Sequence, residues 1–510
     1  MEENILIHRF MDLGVQLSEG ALKYIMSQSD PEATAYLVIS KLSKMEKRPF
    51  LITTDAISAI LMESMEETQV LHEDQTRPSE IIKKSVHTKF RPVAAEYESK
   101  VSVRRDITGK SYSEGDIRDF WSLFSDRYDR VSRLLRNRVE LREAVPMETL
   151  SSMGEREKVS VIGMVADRRE SSAGNIIIDL EDPTGRALAL VFKGKKDLVS
   201  KAMDVVTDEV IGVVGSLRPG DRIPRIFVTD IVWPDLPVKH ELGRSEDPVC
   251  AALISDLHVG SEMFLEDVFM KFMKWLNEGA DGKAEAELAG KVKYLVVAGD
   301  IVDGIGVYPG QEGELLVDDI FKQYEIAAKL LAEVPDYITV IVTPGNHDAV
   351  RPSEPQPAIP KDIAGDFYER GFLMAGNPVL ANIHGVNFIV YHGRSVDDMV
   401  GAVPGLDRKD SVKPFVKLLQ KRHLAPIYGG RTAISPERAD YMVIDEVPDV
   451  LHCGHVHVNG YSKYREVSIV NSGTFQSKTL YMQKLGVEPT PGMVPIFDLQ
   501  THQVRVVRFA

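Results

Sequence analysis

Tyr294-Leu295-Val296-Val297-Ala298-Gly299-Asp300-Ile301-Val302-Asp303-Gly304 decides how this chain is read. The run Tyr294 to Ala298 is wholly apolar and predicts a strand buried on both faces of a sheet. It stops at Gly299, and two carboxylates, Asp300 and Asp303, follow at once, closed off by Gly304. Polar residues at the carboxyl end of a buried strand lie where open α/β sheets collect ligands.

Working outward, the same pattern recurs at four other places. Val249 to Ile254 ends in Ser255-Asp256-Leu257-His258, and Ile338 to Val342 leads to Gly345-Asn346-His347-Asp348. Phe388 to Tyr391 ends in His392-Gly393, and Val450-Leu451-His452 leads to Gly454-His455-Val456-His457. Helical patterns separate the first three strands: Leu265, Val268, Phe269, Phe272 and Leu276, then Ile320, Tyr324, Ala327, Leu330 and Leu331. Alternating strands and helices, then further strands, predict a layered α/β domain. In extended chain, alternate side chains point the same way, so Asp256 with His258, and His455 with His457, are expected to face one site. Carboxylates and imidazoles suit Mn²⁺, Fe or Zn²⁺, and no cysteine is placed to compete. Any one of these turns alone is more often structural. Five in order, each closing an apolar strand, point to a metal site.

Upstream the period changes. Val159–Val165, Ile176–Leu180, Ala187–Phe192, Val210–Leu217 and Ile226–Val232 are five short β-rich runs, and only Lys195 to Val205 has room for a helix. Five strands with a helix after the third match an OB barrel. Its aromatics are few (Phe192, Phe227, Trp233), so scaffolding is expected rather than base stacking. Near the start, Leu6, Phe10, Leu13 and Leu17 recur at helical spacing, and Ser18 marks a new helix start. From 71 to about 110 the chain resembles a polar linker. Seven basic residues between Lys83 and Arg105, against Glu96 and Glu98, read as a solvated linker or as a strand touching DNA or a partner. Ser113 to Val139 predicts an amphipathic helix with Ile117, Phe120, Trp121, Phe124, Tyr128, Val131 and Leu135 on its core side.

A length of 510 residues calls for several domains. The 76 acidic against 61 basic side chains leave a formal charge of −15, which argues against a protein that simply coats DNA. Two cysteines, Cys250 and Cys453, imply no disulfide framework and fit a cytoplasmic location. No apolar run approaches the roughly 20 residues of a membrane span, and the polar start, Met1 to Arg9, is unlike a secretory signal. Arg351-Pro352-Ser353-Glu354-Pro355-Gln356-Pro357-Ala358-Ile359-Pro360 reads as a stiff loop that either walls the site or merely connects. Arg351 and Arg394 are candidate phosphate contacts, as guanidinium suits that anion.

The pattern DxH, GDxxDG, GNH(D/E), H and GHxH is complete here and resembles the calcineurin-like metallophosphoesterase superfamily. The order of helical start, linker, barrel and phosphoesterase is similar to the small subunits of archaeal family D DNA polymerases. That likeness covers nearly the whole chain, most specifically residues 157 to 510. It implies an α/β multi-domain protein: a helical domain over 1–70, a linker and amphipathic helix over 71–150, an OB-fold domain over 151–240, and a calcineurin-like phosphoesterase domain over 241–510. It further implies two divalent metal ions, Mn²⁺ first, with Fe, Zn²⁺ and Mg²⁺ open. Asp256, His258, Asp300 and His457 would hold one; Asp300, Asn346, His392 and His455 would hold the other, with Asp300 bridging. His347 would serve as acid at the leaving oxygen, and Asp303 and Asp348 would orient ligands or His347. The activity implied is a 3′ to 5′ exonuclease on single-stranded DNA ends, proofreading for a large catalytic subunit. Its direction comes from the resemblance alone. The alternatives are a stand-alone phosphodiesterase, which would need neither barrel nor N-terminal block, and a structural subunit with a slow site.

Overall fold

The computed structural model describes residues 90–218, 223–280 and 282–510, with residues 10, 15–27, 34–35, 38–39, 41–42, 51–54 and 56–57 nearer the start. The chain forms two compact units, Met1–Thr88 and Lys89–Ala510. In the first, β1 (Gln16–Leu17), α1 (Glu19–Met26) and β2 (Leu51–Ile52) surround Phe10, Val15, Ala21 and Ile25. Ser18 caps α1, its hydroxyl oxygen accepting the Ala21 N–H at 3.2 Å. Leu17, expected in a helix, lies in β1, paired in parallel with β2; Leu6 and Leu13 fall outside the described residues.

The expected linker lies outside the described residues up to 89. Beyond that point it is not a linker: β3 (Val101–Arg105) is an edge strand, antiparallel to Val379–Ile383. Its basic residues are spent inside the chain, with Lys100 on Asp247 (2.9 Å), Arg104 on Glu446 (3.0 Å) and Arg105 on Asp445 (2.7 Å). The next helix, α2 (Ile117–Arg136), starts at a capping box of Asp116 and Asp119. Its buried side is Leu123, Arg127, Val131 and Leu135, whereas Ile117 and Trp121, expected in the core, are 85% and 73% exposed.

The barrel comprises β4 (Lys158–Glu170), β5 (Ile176–Asp182), β6 (Gly185–Val191), α3 (Lys196–Met203), β7 (Val210–Arg218) and β8 (Arg225–Val232). It closes in the order β4-β5-β6-β8-β7, with β6 and β8 parallel and the helix after the third strand, an OB fold. Alternate residues such as Val159 and Val161, Ile176, Ile178 and Leu180, and Ala187, Ala189 and Val191 fill it.

The rest is a four-layer sandwich. One sheet runs β12-β11-β10-β9-β18-β19 and the other β16-β17-β15-β14-β13-β3, built from β9 (Cys250–Ile254), α4 (Glu266–Glu278), α5 (Lys283–Gly290), β10 (Val292–Ala298), α6 (Ile320–Leu331), β11 (Thr339–Thr343), α7 (Gly365–Glu369), β12 (Leu373–Met374), β13 (Val379–Ile383), β14 (Val386–Val390), α8 (Val396–Ala402), α9 (Lys413–Lys421), β15 (Val450–Cys453), β16 (Gly460–Tyr464), β17 (Val467–Asn471), α10 (Leu480–Leu485), β18 (Met493–Asp498) and β19 (Val504–Arg508). Both faces of the central strands are buried, which is why they read as unbroken apolar runs. In β10, Tyr294, Val296 and Ala298 pack between the sheets, while Leu295 and Val297 join α4 and α6 in the outer layer. In the second sheet Phe388 and Val390 face inward and Ile389 meets the layer of α8 and α9. β9, β10 and β11 are parallel neighbours, as are β14 and β15, so their carboxyl ends gather along one rim.

The barrel is fastened to the sandwich by buried charge. Lys421 Nζ, on α9, lies 3.0 and 2.9 Å from the two carboxylate oxygens of Glu209, and also donates to the Asp204 carbonyl at 2.7 Å. Trp233 Nε1 donates to the same Glu209 at 3.0 Å, so this barrel aromatic serves the junction rather than a base. Arg127 of α2 donates to Asp440 (2.7 Å) and to the carbonyls of Pro426 (2.7 Å) and Asp208 (3.0 Å).

Candidate metal centre

The turns beyond these strands are not extended. Asp256, His258, Asp300, His455 and His457 all have positive φ, between 51° and 70°. The alternation expected for Asp-x-His and His-x-His is therefore replaced by left-handed residues that swing each side chain inward. That conformation costs a non-glycine residue on the order of 1–3 kcal/mol and persists where its surroundings over-determine it. The backbone does so here: Asp256 N–H donates to the Gly299 carbonyl, His258 N–H to the Asp300 carbonyl and His455 N–H to the Asp256 carboxylate. Two glycines permit the close approach, since a Cβ on Gly345 would collide with Asp300 Oδ1 and one on Gly454 with Asp256 Oδ2.

The side chains expected as ligands meet in two groups, and His258, Asp303 and His347 form a third at the same spacing. The ligand atoms of Asp256, His258 and His457 lie within 4.8 Å of one another, as do those of Asp300, His392 and His455. Between the groups stands Asp300 Oδ2, 3.1 Å from His392 Nε2 and 3.8 Å from His258 Nε2. His258 Nε2 and His457 Nε2 face each other at 3.1 Å. His392 donates its Nδ1–H to the Ala298 carbonyl at 2.9 Å, which turns Nε2 and its lone pair to the centre. Asn346 Oδ1 is buried without a hydrogen-bond partner, and His392 Nε2, equally buried, has only the Asp300 carboxylate beside it. Buried polar atoms left so are costly, and a cation between them satisfies both. Burial opposes ionisation of Asp300, yet the surrounding His392, His347 and His258 hold its carboxyl well below the usual range. Burial likewise works against a charged His392, and Asp300 outweighs it, pushing the imidazole up to about 10. A divalent cation at Nε2 would displace the proton that this shift places there, as metal binding commonly does, and carboxylate and imidazole donors suit such a cation.

The remaining expected residues divide. His347 lines the pocket, its Nδ1 2.7 Å from the Asp303 carbonyl and its N–H on Asp300 Oδ1 at 2.9 Å. Asp303 Oδ1 holds His258 Nδ1 at 2.9 Å. Asp348 touches neither ring. It braces the turns instead, accepting from Gly345 N–H (2.8 Å), Ile301 N–H (3.3 Å) and the Tyr324 hydroxyl (2.9 Å). Arg394 lines the pocket. Arg351 does not: its guanidinium is spent on Glu437 (2.7 Å), Ser111 (2.7 Å) and the Pro355 carbonyl, so the expected phosphate contact falls away for this side chain. In the proline-rich loop Gln356 Nε2 props the Gly345 carbonyl at 3.2 Å, and the Pro352 carbonyl accepts from the Arg394 guanidinium at 3.1 Å.

Sequence reading missed several contributors. Gln311 and Gln476 donate to the Asp303 carboxylate at 2.9 and 3.2 Å. Arg408 pairs with Asp397 at 2.6 Å, and both line the pocket with Tyr308 and Tyr481. One signal was present: Ser472-Gly473-Thr474 follows the apolar strand β17, the pattern used for the other turns. Thr474 duly donates its hydroxyl to the Asp256 carbonyl at 2.8 Å.

Layered sheets with carboxylate and imidazole clusters along one rim define a calcineurin-like phosphoesterase, and the calcineurin-like phosphoesterase family model matches residues 251–459. Such a domain uses divalent metal ions. The chain belongs to the DNA polymerase II small subunit family. It is 39% identical over 496 residues to the DNA polymerase II small subunit of Methanothermobacter thermautotrophicus, covering 97% of this chain and 98% of that one. It is 43% identical over 397 residues to that of Archaeoglobus fulgidus (78% of each chain). The Methanocaldococcus jannaschii relative is 39% identical over 420 residues, 82% of this chain and 70% of that one. Among the described residues no helix is long and apolar enough to cross a membrane.

Proposed function

We propose that this chain is the proofreading subunit of a replicative polymerase, hydrolysing phosphodiester bonds at the 3′ end of single-stranded DNA beside a large catalytic subunit. The observation that carries this reading is the pair of carboxylate–imidazole clusters with Asp300 between them. Asp256, His258, His457 and Asp300 would hold one cation, and Asp300, Asn346, His392 and His455 the other. Two divalent cations there, Mn²⁺ first, would clamp the scissile phosphate and make a bound water a stronger nucleophile. The chain supplies the rest. His347, with Nδ1–H tied to the Asp303 carbonyl, turns Nε2 to the departing 3′ oxygen, and as the imidazolium, protonated on both nitrogens, it would give that oxygen the Nε2 proton. Arg394 brings positive charge to the same pocket, whereas the charge of Arg408 is balanced there by Asp397. Asp303 and Asp348 hold histidine tautomer and turn geometry.

The test is digestion of single-stranded DNA, labelled at either end, with Mn²⁺ and with excess EDTA, alongside a small phosphodiester. Shortening from the 3′ end that EDTA abolishes supports the reading. Hydrolysis of the small diester alone would favour a stand-alone phosphodiesterase, and hydrolysis of neither would favour a structural subunit. Co-purification of a large polymerase subunit tests the partner.

A further inference from the structure

One wall of the pocket is aromatic. His258 meets His347 edge-on at 4.7 Å between ring centroids, His347 meets Tyr308 at 6.3 Å, and Tyr308 stacks on Tyr481 at 6.1 Å with the rings 22° apart. The ladder leads from the centre to the surface. Its inner tyrosine is fixed by a hydrogen bond from the Tyr308 hydroxyl to Glu314 at 2.9 Å. Its outer end is open: Leu480, Tyr481 and Leu485, all on α10, are 60%, 49% and 40% exposed. The same pocket carries the guanidinium groups of Arg394 and Arg408. A pocket that combines stacked rings with imidazoles and guanidinium groups matches a nucleotide, which offers a flat base and an anionic phosphate together.

We propose that Tyr481, backed by Tyr308, is a specificity-determining residue that stacks the base of the penultimate nucleotide, the one that becomes the new 3′ end. This rests on the nuclease reading above. The side follows from the ladder's origin at His347, the group set at the leaving oxygen. When the terminal nucleotide leaves with its phosphate, water's oxygen bonds to phosphorus and the P–O3′ bond breaks. The freed O3′ of the penultimate nucleotide takes a proton, and its base then lies on the His347 side, against the tyrosines.

Oligonucleotides abasic at the penultimate or at the terminal position test this, with KM measured for each. In the wild type the penultimate lesion should raise KM by roughly 5- to 150-fold, the effect of losing one stacked base, and the terminal lesion much less. Tyr481→Ala should raise KM for the intact strand by a similar factor and erase the penultimate penalty, and Tyr481→Trp should restore it. Trp121→Ala, which removes an exposed ring outside this pocket, should keep the full penalty. A penalty unchanged in Tyr481→Ala overturns the proposal and leaves the nuclease reading standing. A second readout needs no turnover: 2-aminopurine at the penultimate position, with saturating protein in EDTA. Quenching that Tyr481→Ala loses supports the stack even if the wild type digests no DNA, a result that would sink the nuclease reading alone. Equal fluorescence in both proteins overturns the stack.

Discussion

Asp303 Oδ1 stands 2.9 Å from Nδ1 of His258, and that contact decides which ring nitrogen faces the centre. A carboxylate only accepts, so Nδ1 carries the proton and Nε2 presents its lone pair. The backbone carbonyl of the same residue accepts from His347 Nδ1 at 2.7 Å, so one aspartate orients the rings of two histidines. Asp303→Ala should weaken metal binding by about 10- to 100-fold, as removal of such ligand-orienting partners does. Asp303→Asn, which keeps an acceptor, should lose less. Calorimetric titration with Mn²⁺ measures both, and wild-type affinity in Asp303→Ala would remove this role.

His347 and His392 should separate in metal content. His392 points a buried Nε2 at the Asp300 carboxylate, 3.1 Å away, whereas the ring of His347 lines the open pocket with its Nδ1 on the Asp303 carbonyl. His347→Ala should lose about 10²–10⁴-fold in rate, the usual contribution of a placed proton donor, with both metals still bound. His392→Ala should lose metal. Mass spectrometry of metal per chain, run beside DNA digestion, distinguishes them. If His347→Ala empties the site as fully as His392→Ala, His347 is a ligand or a support.

The junction of barrel and sandwich should depend on a satisfied charge rather than on charge as such. Lys421 and Glu209 are both buried and paired, and removing one partner of such a pair typically costs about 3–5 kcal/mol, because the other is stranded. Lys421→Met should therefore strongly lower the midpoint of urea unfolding. Adding Glu209→Gln should recover part of the loss, since the amide removes the stranded charge while its oxygen still accepts from Trp233. Additive losses in the double variant would show that the pair is not coupled.

The strands and the residues at their ends were legible because burial on both faces leaves an unbroken apolar run, and the chain can turn polar only at its end. The conformation of those ends was not. Asp256 and His258 converge through left-handed turns held by hydrogen bonds to Gly299 and Asp300, more than forty residues away in sequence. Gln311 and Gln476 reach Asp303 from loops with no motif of their own. β3 could not be told from a solvated linker because an edge strand is half exposed and its basic residues imitate one, although Arg105 and Arg104 are paired to Asp445 and Glu446. Ile117 lies in the first turn of α2, and Trp121 is exposed in a turn whose other side packs, through Phe120 and Phe124 on Tyr428 and through buried Leu123.

Acid should loosen the same junction through His423. Its Nε2 lies 2.8 Å from Asp440 Oδ2, and its Nδ1 accepts the Ala425 N–H at 3.1 Å. A proton on Nδ1 would confront that N–H, so the fold holds the ring neutral. Burial is the main cause, and the charge of Arg127 adds to it; against the opposing pull of Asp440 they push the imidazole down to about 4. The other charge facing it, Arg130, acts in the same direction as Arg127. The unfolded ring titrates near 6.5. Between about pH 6.5 and 4 the unfolded chain therefore binds a proton that the folded chain refuses, and stability falls as pH falls. Two units of that window correspond to roughly 2–3 kcal/mol. Asp440 behaves separately: burial would raise it, but His423 and Arg127 hold it far below the usual range, so its contribution is lost only below about pH 4. Urea unfolding of wild type and His423→Gln at pH 7 and pH 4.5 isolates the histidine, because every other group is common to both proteins. The wild type should lose roughly 2–3 kcal/mol more than the variant across that interval. Equal losses would mean that His423 takes up its proton in the folded state, and that the Ala425 contact does not hold it neutral.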